Sequence, residues 1–164
     1  MDVLKQPGRL RLTHCSDIHL EGDHFEADHY KSGFVGVLEA AAANDSDLVV
    51  LAGDLFDTNR TTGGTIEWAM QKLGEQGLPV VMIPGNHDCL QPGGVFARYD
   101  FDRIKNVEMF SATTGEVRVL DALGLVLGNR ADVGLVRSGV APGSAASGAQ
   151  RSACIYQPWP AHTM

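Results

Sequence analysis

The sequence predicts an α/β fold, a layered sheet sandwich covered by helices. Three observations lead there. Apolar segments alternate between strand-like and helix-like periods in the order strand, helix, strand, helix, strand, as expected of parallel strands joined by covering helices. The run Leu48–Ala52 is apolar at every position, like a strand buried on both faces. Each predicted strand gives way to a polar loop carrying Asp, Asn or His, and open parallel sheets bind their ligands beyond the carboxyl ends of the strands.

The elements follow in order. Arg9–Cys15 alternates through Leu10 and Leu12 and reads as a first strand, and the polar stretch Ser16–Asp28 reads as a loop. From about Tyr30 to Ala43, Phe34, Val37, Leu38, Ala41 and Ala42 recur at helical spacing. Asn44-Asp45-Ser46 ends that helix. Leu48–Ala52 is the second strand and Gly53–Gly64 a second polar loop. Thr65 reads as the cap of a helix through Ile66, Ala69, Met70 and Leu73, with Gly74 and Gly77 at its end. Pro79–Ile83 is a third strand, closed by Pro84-Gly85. Past Asn86 the pattern weakens. Val107–Phe110, Val117–Leu120 and Leu123–Leu127 read as short strands of an antiparallel meander. No internal repeat is visible.

A chain of 164 residues, 44% hydrophobic and 20% charged, fits one globular domain with a core of its own. The composition changes near Gly128. Residues 128–164 hold a single acid, Asp132, no Lys and no Phe, and many Gly, Ala and Ser. Residues 1–127 therefore read as the domain and 128–164 as a tail expected to be poorly ordered. The net charge of −7 argues against a protein that holds nucleic acid by its own field. Bound cations or a partner would have to supply the attraction. Cys15, Cys89 and Cys154 are widely spaced and odd in number, which suggests a reducing compartment. Neither a leader-like start nor a run of about 18 apolar residues is present, so no membrane is expected and the cytoplasm is the default location.

The chemistry concentrates in three clusters that follow the three predicted strands: Asp17-x-His19, Gly53-Asp54 and Gly85-Asn86-His87-Asp88. Carboxylate, imidazole and amide oxygen suit divalent ions such as Mn, Fe or Zn. A carboxylate between two cations can give one oxygen to each, which makes Asp54 the natural bridge. Two such cations can clamp a phosphate and lower the pKa of a shared water. The glycines at 53 and 85 are expected to permit sharp turns at the strand ends.

These residues resemble the calcineurin-like metallophosphoesterase family, which carries D-x-H, then G-D, then G-N-H-D or G-N-H-E. The longer runs Ser16-Asp17-Ile18-His19-Leu20 and Gly53-Asp54-Leu55-Phe56-Asp57 are most similar to its DNA-repair exonuclease branch, the SbcD-like nuclease subunits. The resemblance spans roughly Leu10 to Asp100. It implies a metallophosphoesterase-type sheet sandwich and two divalent metal ions. Asp17, His19 and Asp54 would hold the first ion, and Asp54 and Asn86 the second. His87 would act on the phosphate, as proton donor to the leaving oxygen or its stabiliser, and Asp88 would orient His87 by hydrogen bonding. A phosphate-ester substrate, DNA by preference, and an SbcC-like ATPase partner are implied in the same way. The family continues with a lone metal histidine and a G-H-x-H pair, whereas His162 is the one histidine after His87 here. The expected fold is therefore incomplete at its C-terminal end.

Other readings stand beside the nuclease. A phosphatase or cyclic-nucleotide phosphodiesterase of the same family needs the same loops. A truncated, inactive chain would explain the missing histidines. A nucleotide-binding module ranks last, because no Gly-rich phosphate loop is present. Among single residues, His14 is expected to pack, His24 and His29 to lie in a solvated loop, and His162 to stand outside the site. Cys15 and Cys89 are expected to be small buried residues. Phe56 should pack under the metal loop, and Trp68 in the core or an interface. Arg98 and Arg103 are expected at the solvated surface rather than on phosphates.

Overall fold

The computed structural model describes residues 10–21, 27–112, 115–129 and 137–140. The chain forms two compact units, Met1–Met109 and Phe110–Met164. In the first, β1 (Leu12–Cys15), β2 (Leu48–Ala52), β3 (Val80–Ile83) and β4 (Val107–Met109) form one sheet in that order. Every neighbouring pair is parallel. Helix α1 (Ala27–Ala43) joins β1 to β2, and α2 (Gly63–Gln76) joins β2 to β3. The predicted α/β class and the parallel order of the first three strands are thus what the chain adopts.

Each helix is tied to the sheet by the periodicity that the sequence shows. Phe34, Leu38 and Ala41 of α1 and Ile66, Ala69 and Leu73 of α2 are buried in one core with Val49, Leu51, Val80 and Met82. β2 is buried along its whole length, as its unbroken apolar run implied. α1 ends where Asn44-Asp45-Ser46 was expected to end it. Asp45 turns left-handed (φ 51°), and Ser46 N–H closes the turn on Ala41 O at 3.0 Å.

Four local expectations are corrected. β1 starts at Leu12, and Arg9 lies outside the described residues; just before the strand, Arg11 N–H donates to the Asp47 carboxylate (2.9 Å) while Arg11 O accepts from Asp47 N–H (2.8 Å). α1 starts at Ala27, with Asp28 in its first turn, where a negative charge favours a helix start; His29 is therefore helical. Thr62, not Thr65, takes the N-cap position of α2, without a side-chain capping hydrogen bond; the helix includes Gly74 and ends at left-handed Gly77 (φ 70°). Val107–Met109 joins the parallel sheet beside β3 rather than a meander. The connection responsible holds a single-turn helix α3 (Val95–Arg98) and a 3-10 turn at Phe101–Arg103, both too short to show a helical period in sequence.

The second unit contains β5 (Glu116–Leu120), β6 (Leu125–Asn129) and β7 (Arg137–Val140). β5 and β6 pair antiparallel, as do β6 and β7, so the meander expected of the two later segments is present. The segment expected to begin at Leu123 starts instead with a 3-10 turn, Asp121–Leu123, closed by left-handed Gly124 (φ 60°). β6 runs across position 128, where the tail was expected to start; residues 130–136 and 141–164 lie outside the described residues. No helix among the described residues is long and apolar enough to cross a membrane.

Candidate metal centre

The loops after β1, β2 and β3 are stitched together by their backbones. Beyond Cys15 the β1–β2 pairing is distorted but not abandoned. Asp17 N–H donates to Gly53 O (3.2 Å), His19 N–H to Asp54 O (3.0 Å) and Leu20 N–H to Leu55 O (2.8 Å), and Asp57 N–H donates back to Leu20 O (3.2 Å). Leu20 and Phe56 then pair as a parallel bridge in the register of β1 and β2. The two chains make the same excursion side by side.

Left-handed backbone carries the excursion: φ is 56° at Asp17, 52° at His19, 92° at Gly53 and 53° at Asp54. Glycine meets no Cβ penalty there, whereas Asp and His are strained by about 1–2 kcal/mol each. Strain held at three side chains able to bind cations is characteristic of functional geometry.

The third loop locks onto the second. His87 N–H donates to Asp54 Oδ1 (2.8 Å). Gly85 lies against Asp54 so closely that a Cβ would collide with the Asp54 backbone nitrogen and carboxylate. Gly85 is therefore needed for space, whereas Gly53 is needed for its positive φ. Asp88 is buried, and its two oxygens accept from Gly85 N–H (2.7 Å) and Phe56 N–H (3.2 Å). The expected hydrogen bond from Asp88 to the His87 ring is replaced by this clamp between loops. Burial pushes the Asp88 carboxyl above its usual range, against the lowering effect of those N–H donors.

Two groups of ligand-type atoms result, Asp17–His19–Asp54 and His19–Asp57–His87, each lying within 4.8 Å of one another. Asp57, to which the sequence reading gave no role, sits between the imidazoles. Its Oδ1 is 3.2 Å from His19 Nδ1 and 3.7 Å from His87 Nδ1. The two rings meet edge to face at 4.7 Å. His87 Nδ1 is held by Asp57 O at 2.8 Å. That bond, ahead of the nearby carboxylates of Asp54, Asp57 and Asp88, raises the His87 imidazole above its usual value. Asp57 had a legible signal: it stands three positions after Asp54 across Leu55 and Phe56, which are both buried.

A divalent cation fits this donor set. His19 Nδ1 is buried without a hydrogen-bond partner, despite its nearness to Asp57. Carboxylate and imidazole together suit Mn, Fe or Zn. Asn86 is exposed on the turn between Gly85 and His87. Cys15 offers no thiolate, because burial pushes its thiol up to about 11.

The remaining residues singled out in sequence fall around this centre. Phe56 is fully buried and meets Phe96 and Phe101 edge to face. Trp68 packs on the core, 6.0 Å from the Phe34 ring, with Lys31 Nζ 5.7 Å from its own ring. His14 is exposed on β1 rather than packed. Cys15 and Cys89 are half-buried. Arg98 donates to the carbonyls of Asn59 and Thr61, and Arg103 pairs with Asp100 at the surface. His24, Cys154 and His162 lie outside the described residues.

Comparison with known proteins places the chain in a family. The profile of the calcineurin-like phosphoesterases matches residues 10–140. The chain is 30% identical over 86 residues to the DNA double-strand break repair protein Mre11 of Archaeoglobus fulgidus, covering 48% of this chain and 19% of that protein. It is 31% identical over 122 residues to the uncharacterised metallophosphoesterase YhaO of Bacillus subtilis, covering 65% and 29% respectively. It is 29% identical over 108 residues to a protein of Fibrobacter succinogenes described as a probable cyclic nucleotide phosphodiesterase, covering 57% and 41%. The chain thus spans well under half the length of each of these relatives.

Proposed function

This chain belongs to the calcineurin-like phosphoesterase family, and on that premise we propose that it hydrolyses phosphodiesters with two divalent cations, DNA being the preferred substrate. The family as a whole comprises metal-dependent phosphoester hydrolases. The observation that carries the reading is the gathering of Asp17, His19 and Asp54 from separate strand ends into one group of ligand atoms. Preference for DNA draws support from the Asp54-Leu55-Phe56-Asp57 run and from the likeness to the archaeal repair protein. An SbcC-like ATPase partner and a cytoplasmic setting belong to the same proposal.

Asp17, His19 and Asp54 would hold one cation, and Asp54 with Asn86 the other. Such ions, when bound, polarise a phosphate and supply hydroxide near neutral pH. The chain's own groups do the rest. A carbonyl oxygen can only accept, so His87 Nδ1 donates its hydrogen to Asp57 O. In the imidazolium form Nδ1–H stays on Asp57 O and Nε2–H would face the substrate, to give its proton to the departing oxygen or to hydrogen-bond to it. Asp57 is the positioning group for His87, and Asp88 keeps the loops in register from below.

The test is hydrolysis by the Mn-loaded chain of linear DNA, cyclic AMP and p-nitrophenyl phosphate in parallel. Degradation of DNA with neither small ester cleaved is the expected result. Cleavage of cyclic AMP without DNA would instead favour the second reading, for which the Fibrobacter relative speaks. Absence of any hydrolysis would refute catalysis by this chain.

A further inference from the structure

Asn59 lies outside the ligand set, yet it is a polar residue only 8% exposed. Its Nδ2 donates to Cys89 O at 3.0 Å and lies 3.4 Å from Cys89 Sγ. Its Oδ1 accepts from Val95 N–H at 3.0 Å. Gly94 approaches that oxygen so closely that a Cβ would collide with it. From the other side, Arg98 Nη2 donates to Asn59 O (3.2 Å) and Thr61 O (3.0 Å). The segment after β2 and the segment after β3 are therefore cross-tied in both directions. Asp57 lies just before Asn59 on the first, and His87 just before Cys89 on the second.

Filling this space would need only an apolar side chain. A buried amide with both ends satisfied does something else: it admits one register between the two segments, because any slip leaves buried polar groups unpaired. The bond that depends on that register is His87 Nδ1 to Asp57 O.

We propose that Asn59 is a positioning residue, whose side-chain amide fixes the loop bearing Asp57 against the loop bearing His87 and so holds the His87 ring for reaction. The catalytic part rests on the phosphoesterase reading above; the geometric part does not. While the cross-tie holds, the neutral His87 ring carries its hydrogen on Nδ1, the minor form of a free imidazole in water. Without it, the ring reverts to the Nε2–H form.

Long-range proton–nitrogen NMR of the full chain reads this directly, at a pH where His87 is neutral, in the wild type, Asn59→Ala and Asn59→Asp. Asn59→Asp keeps the size and the acceptor for Val95 N–H, but sets an oxygen against Cys89 O, so it opens the tie without a cavity. The wild type should show His87 as Nδ1–H and both variants as mainly Nε2–H, with the amide signals of Leu73 and Val80 unmoved. A folded variant that keeps the Nδ1–H form overturns the proposal, as does loss of fold in both variants. With Mn and linear DNA, Asn59→Asp should lower kcat about 10–100-fold, the range of supporting-residue effects, with KM and Mn affinity unchanged. Wild-type kcat in that variant overturns the positioning role. If the wild type turns over no phosphodiester, the phosphoesterase reading and the catalytic role fall together, and the NMR still decides the cross-tie.

Discussion

Asp17, His19 and Asp54 hold backbone conformations that glycine would hold without strain. Asp17 is the cleanest place to measure this, since it is exposed and its side chain contributes little packing. In the metal-free protein, Asp17→Gly should be more stable than Asp17→Ala by about 1 kcal/mol, the cost of a Cβ in the left-handed region. Urea unfolding measures the difference, and both variants should lose divalent-ion affinity. Equal stabilities would mean that the loop relaxes and stores no strain. At this scale the sequence shows which side chains are chemically able: Asp17, His19, Asp54, Asn86, His87 and Asp88 stand out by type and by their place after strands. What it hides is the use of each. Asp57 acquires a role only when the β2 loop folds back beside His19 and His87. Asp88 sits next to His87 in sequence, yet its carboxylate accepts from Gly85 N–H and Phe56 N–H.

That clamp makes Asp88 a determinant of loop structure. Asp88→Ala would strip the acceptors from two backbone N–H groups, at about 1–3 kcal/mol for each one left buried and unpaired. A combined loss of about 2–6 kcal/mol for the two should appear in thermal or urea unfolding of the metal-free protein, because the clamp needs no cation. Stability unchanged within about 0.5 kcal/mol, the range of ordinary surface substitutions, would show that the loops hold their register without Asp88. Among elements, legibility follows length and periodicity. α1, α2 and the buried β2 each repeat their pattern often enough to be read. α3 and the turn at Phe101–Arg103 do not, so the sequence pattern points Val107–Met109 toward a meander while the chain pairs it in parallel with β3. β5 shows a further limit. Val117 and Val119 are 65% and 49% exposed, while Glu116 and Arg118 pair on the less exposed side. Alternation identified the strand there but not the face it would bury.

For the molecule as a whole, the net charge of −7 and a cluster of acids beyond one sheet edge set the same requirement. An acidic protein does not attract a phosphodiester by its own field, so cations must both complete the site and reverse its local charge. A cation that binds only the folded chain also stabilises it, which ties the strained loops to the ion. Mn binding by calorimetry, on the wild type, Asp54→Asn and His87→Ala, tests this account at its centre. The wild type should bind Mn, Asp54→Asn should fall below detection because it loses the charge proposed to serve two ions, and His87→Ala should bind as the wild type does. A wild type that binds no Mn, or an Asp54→Asn variant that binds it equally well, would contradict the assignment of these three loops as a metal centre.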